Sequence, residues 1–154
     1  MSNCIVTGGS KNDVAPMASL LFNLKATQSW IDQVIIYHDG ISKDDQEKMQ
    51  QVMPVEFIHY HFPGSSANFN EIIRYVYTET IFCKYECLKL LKRFEHVVWT
   101  DYDVLFMHDV PELVKFESTS SGIKIMIAEP EHPCSRFQDQ IRFEGRKKWQ
   151  HIAH

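Results

Sequence analysis

Three unbroken apolar runs, Cys4-Ile5-Val6, Val34-Ile35-Ile36-Tyr37 and Val97-Val98-Trp99, constrain the fold of this chain more than any other feature. Each is too short to be a helix and lacks polar alternation, the pattern of strands covered on both faces. Helical patterns lie between them. Met17, Leu20, Leu21 and Leu24 recur at helical spacing behind Asp13 as a cap, with Pro16 in the first turn. Ser42, with Asp45 three residues on, starts a polar helix from Lys43 to Val52. A longer helical pattern covers 78–94, with Ile81, Tyr85, Leu88 and Leu91 on one face. Further strands are predicted from Val55 to Phe62 and from Ile123 to Ala128. The first strand is expected from Asn3 to Thr7, ended by a turn at Gly8-Gly9-Ser10; His38-Asp39-Gly40 breaks the second. Strands alternating with helices predict an α/β fold, with a central, mostly parallel sheet flanked by helices.

Composition narrows the function classes. The 154 residues suit one domain, 1–154, with 131–154 as a terminal helix or basic tail. Sixteen Lys+Arg against twenty Asp+Glu give a net charge of −4, which argues against broad nucleic-acid binding. No apolar run approaches the roughly 20 residues of a transmembrane segment. Met1-Ser2-Asn3 leads straight into the first strand rather than into a secretory apolar region. Cysteines 4, 83, 87 and 134 form no CxxC pair, so reduced thiols and a cytoplasmic location are expected.

The chemistry-bearing feature is Asp101-Tyr102-Asp103, just past the run Val97-Val98-Trp99. In open α/β sheets, ligands bind beyond the carboxyl ends of strands. Two carboxylates there are costly to desolvate without a positive partner. A hard divalent cation, Mg²⁺ or Mn²⁺, supplies one and keeps positions for water and phosphate oxygens. Asp101 and Asp103 are therefore candidate metal ligands bridging to a diphosphate. The competing reading is an ordinary polar strand end.

The surrounding segments, Phe82-Cys83-Lys84-Tyr85, Leu88-Lys89-Leu90-Leu91 and His96-Val97-Val98-Trp99-Thr100-Asp101-Tyr102-Asp103-Val104-Leu105, resemble glycosyltransferase family 8 and its relatives. Tyr37-His38-Asp39-Gly40-Ile41-Ser42 resembles the second strand and turn of that family, and the likeness covers roughly residues 3–130. The resemblance implies a GT-A fold, a nucleotide-sugar donor (a UDP-sugar by default), Mn²⁺ and transfer to a saccharide or glycan acceptor. It implies that Asp101 and Asp103 contact metal and donor, that Tyr102 lies against the ribose, and that Lys84 approaches the diphosphate. It also places Thr7, Gly8, Asn12 and Asp13 in a base-binding loop. No catalytic base or nucleophile is identified.

Two other classes stay open. One is a non-catalytic nucleotide-sugar-binding or interaction module of a truncated transferase fold. The other is a short-chain dehydrogenase using NAD(P), suggested by Thr7-Gly8-Gly9 and by Tyr85 with Lys89. Lys11-Asn12-Asp13-Val14 lacks the further glycines that a dinucleotide loop needs, and Tyr85 is expected in the core. His59 and His61 share a strand face and are expected to be partly exposed.

Overall fold

The computed structural model describes residues 2–62 and 79–115. They belong to a compact unit spanning Met1–Glu117. The expected strand at 123–128, the expected tail at 131–154 and Cys134 lie outside the described residues.

The first apolar run forms β1, Asn3–Ser10. It does not end at Thr7: Gly8, Gly9 and Ser10 stay extended because the second strand pairs with them up to Ser10↔Asp39. A 3-10 turn at Lys11–Asp13 leads into α1, Val14–Thr27. Asp13 stands at the start of α1 but caps nothing there. Its carboxylate instead accepts hydrogen bonds from Ser10 N and Ser10 Oγ, both at 2.7 Å. Pro16 lies in the first turn, where its missing N–H has no intrahelical partner to lose. Met17, Leu20, Leu21 and Leu24 are all buried, as their spacing predicts.

β2 is Gln33–Asp39, and Gly40 follows it at φ +107°, a left-handed conformation that favours glycine. Ser42 caps α2, Lys43–Gln50, accepting from Asp45 N at 3.1 Å. The acidic Asp44 and Asp45 sit where the helix dipole favours them. β3, Val55–His59, is shorter than expected. The expected helix at 78–94 divides, among the described residues, into a 3-10 segment, Glu79–Glu86, and the short α3, Cys87–Leu90. β4 is His96–Trp99 and is half-buried along its length, not fully buried as its apolar run suggests.

The four strands form an all-parallel sheet in the order β3-β2-β1-β4. One face, with Ile5, Val34 and Ile36, packs on α1 and on Met49 of α2. The other, with Cys4, Val6, Ile35 and Tyr37, packs on Cys83, Leu90 and Phe94. Right-handed crossovers require this division: the chain moves outward from β1 to β3 behind one layer and returns past β1 to β4 behind the other. Helical layers on both faces of a parallel sheet are compatible with a Rossmann-like arrangement.

Candidate functional site at the carboxyl ends of β1 and β4

The strand order reverses between β1 and β4, and ligands of open α/β sheets bind outside the carboxyl ends at such a point. Two sequence-predicted groups meet there. β1 brings Thr7, Gly8 and the Ser10–Asp13 turn; β4 brings the segment from Thr100 onward. Register pairs Val6 with Trp99, and Thr100 N donates to Val6 O at 3.0 Å.

Beyond β4 the backbone reverses. Val104 N approaches Asp101 O at 3.4 Å, closing a turn with Tyr102 and Asp103 at its centre. Both aspartates are solvent-exposed. The Trp99 indole N–H donates to Asp101 Oδ1 at 3.2 Å, which orients that carboxylate. Tyr102 turns the other way and packs, half-buried, on the α1 core. Burial raises its phenol above the ordinary tyrosine range. The nearby Asp13 carboxylate raises it further, as do the charges of Asp103 and Asp101. Tyr102 thus links the two predicted halves of the site.

The other predicted residues are placed less uniformly. Thr7 is fully buried, and its Oγ1 has no hydrogen-bond partner among the described residues. Gly8 is covered by the 3-10 segment, for a Cβ there would overlap Cys83 Sγ. Asn12 is exposed, and its backbone N–H donates to Ser10 Oγ at 3.2 Å. Lys84 is exposed on the 3-10 segment, with its ammonium 5.9 Å from the Tyr85 ring centroid.

Two hard carboxylate donors on one exposed turn fit a small divalent cation that takes its other ligands from water and phosphate. Among the described residues, no group of three or more His, Cys, Asp or Glu side chains is arranged to hold a metal by itself. The cation would therefore share the pair with its ligand rather than sit in a closed protein cage.

One residue of this edge escapes the sequence pattern. Asp39 ends β2 beside Ser10, and its Oδ1 is buried without a hydrogen-bond partner among the described residues. Burial pushes its carboxyl above the ordinary range, and the Asp13 and Glu79 charges add to this; its own backbone and His59 oppose it. Apart from the family resemblance of 37–42, His38-Asp39-Gly40 reads as a strand breaker, and no spacing marks Asp39 as different.

Tyr85 is 63% exposed rather than in the core, and Lys89 pairs with Glu86 at 2.6 Å. Burial, and after it the nearby Cys87, raises Cys4 and Cys83 to about 12. Cys87 is raised to about 11, by burial first. Cys4 and Cys83 lie in the core on this face of the sheet, with Cys87 packed against it. His59 and His61 are both exposed, their ring centroids 4.3 Å apart. No helix among the described residues is long and apolar enough to cross a membrane.

Comparison of the chain with protein-family models, curated proteins and solved structures gives no match, so the chemistry of this edge rests on its own residues.

Proposed function

We propose that the chain is a metal-dependent glycosyltransferase of GT-A type, binding a nucleotide-sugar donor at the carboxyl ends of β1 and β4. The observation that carries this reading is the exposed Asp101–Asp103 turn beyond β4, at the reversal of the strand order. Mn²⁺ or Mg²⁺ bound there would neutralise the charge developing on a departing nucleoside diphosphate. Asp101, held by the Trp99 indole, and Asp103 present the oxygen ligands. Tyr102, packed on the α1 core, keeps the turn against the β1 loop. Lys84 offers a further cation toward phosphate. A saccharide or glycan acceptor completes the reaction class. The family resemblance supports the UDP-sugar default.

The test is direct binding. Asp101→Ala with Asp103→Ala should lower manganese-dependent UDP affinity at least about tenfold, the scale of a lost charge-assisted contact, and leave thermal stability nearly unchanged. Full UDP affinity in the double variant would refute the site. Binding without turnover of any sugar nucleotide would favour the non-catalytic module.

A further inference from the structure

Past the Asp101–Asp103 turn the chain forms no strand or helix until a 3-10 turn at Pro111–Leu113. It runs along the flank of α1 in the direction of the helix. Tyr102 meets Asp13 at the helix start. Phe106 meets Asn23 near its end, through two reciprocal bonds: Asn23 Nδ2 donates to Phe106 O at 3.0 Å, and Phe106 N donates to Asn23 Oδ1 at 2.8 Å. A side-chain amide here does what a neighbouring strand would do for the backbone.

Gln28 repeats the device. Its Nε2 donates to His108 O at 2.7 Å, and its Oε1 accepts from Val110 N at 3.1 Å. The same side chain exchanges bonds with Thr27 Oγ1 and the Trp30 indole, so every polar position of this buried residue is engaged. Ser29 adds its backbone N–H to Asp109 Oδ1 at 3.1 Å and its hydroxyl to Asp109 Oδ2.

Two residues, Val104 and Leu105, separate the Asp101–Asp103 turn from Phe106, so the turn sits at the upstream end of this strap, a short link away from its Asn23 anchor.

We propose that Asn23 and Gln28 are positioning residues whose side-chain amides hold Phe106–Val110 against α1 and so fix the Asp101–Asp103 turn in its cation-binding geometry. The cation-binding consequence rests on the proposed function; the mechanical part does not. Neither residue is one of the proposed cation ligands.

Backbone amide exchange of the apo chain tests the mechanical part. Asn23→Ala removes both reciprocal bonds and should speed exchange at Phe106, and at the turn amide Val104, at least about tenfold, while Val6 and Ile36 in the sheet keep their protection. Asn23→Asp retains the acceptor for Phe106 N–H and should restore Phe106 protection. Gln28→Ala should act in the same way at Val110. Manganese affinity in the presence of UDP, read from the paramagnetic resonance of the free ion, should fall about tenfold in Asn23→Ala, as for other outer-shell changes. It should recover in part in Asn23→Asp.

Unchanged exchange at Phe106 and Val104 in Asn23→Ala overturns the proposal. Faster exchange with undiminished manganese affinity also overturns it, because the strap then holds nothing that the site uses. A wild-type chain that takes up no manganese with UDP refutes the proposed function. In that case the exchange rates decide the strap: acceleration at Val104 supports it, and no acceleration overturns it.

Discussion

Gly8 shows how closely one residue can be tied to the layout of the site. Its Cα faces the 3-10 segment, and an added methyl would overlap Cys83 Sγ while lying 3.4 Å from both Thr80 O and Trp99 Cη2. Gly8→Ala should therefore cost about 1–3 kcal/mol, the range of overpacked cores, as a lower urea midpoint. Adding Cys83→Ala should recover part of that loss, a coupling expected of residues in contact. Equal midpoints for Gly8→Ala and wild type would mean that the close approach is not real. The glycine was legible in the sequence, but its reason was not. It reads as a turn or nucleotide loop, whereas the structure uses it to let a helical layer approach β1. Asp101 and Asp103 were legible because they follow an unbroken apolar run. Asn23 and Gln28 were not: amides on a helix carry no periodic signal, and their partners are backbone groups some 80 residues away.

The segment between β3 and β4 shows where periodicity misleads at the scale of an element. Counting at helical spacing put Ile81, Tyr85, Leu88 and Leu91 on the inner face. The buried residues are instead Thr80, Cys83, Leu90 and Phe94. Glu79–Glu86 is a 3-10 segment with three residues per turn, so Thr80 and Cys83 align inward, and the stripe changes phase on entering α3. Leu90→Ala should cost about 2–4 kcal/mol in chemical denaturation, and Leu88→Ala less than about 0.5. Comparable losses at both positions would contradict this assignment of the buried face. The turn after β2 is governed by His38. Its Nδ1 accepts from Gly40 N at 3.2 Å and Ile41 N at 3.1 Å, which requires an unprotonated Nδ1. Burial, then the nearby His59, lowers its pKa from the ordinary 6.5. The unfolded chain binds this proton more readily than the fold, so the contribution is complete above about pH 6.5 and is lost as pH falls below it. His38→Asn should flatten that part of the profile in urea midpoints measured from pH 7.5 to 5. Parallel profiles for the two proteins would remove His38 as the cause.

For the molecule as a whole, the order of apolar runs and helical stretches was sufficient to foresee a parallel sheet with helices on both faces, because strands covered on both sides need continuous apolar sequence and long crossovers. The strand order was not legible, since no residue pattern states which side of β1 accepts β4. That order places the Asp101–Asp103 turn beside the β1 loop, where residues separated by some 90 positions in sequence can share one ligand. The depth of β4 was also missed: its apolar run reads as central, yet it is half-buried and stands at the end of the described sheet. Calorimetric titration of UDP into the full chain, with and without Mn²⁺ and with GDP and NAD as comparisons, tests this placement of the site. Manganese-dependent binding of a nucleoside diphosphate, abolished when Asp101 and Asp103 are both alanine, is the predicted result. Nucleotide binding that ignores manganese and survives that double substitution would contradict it.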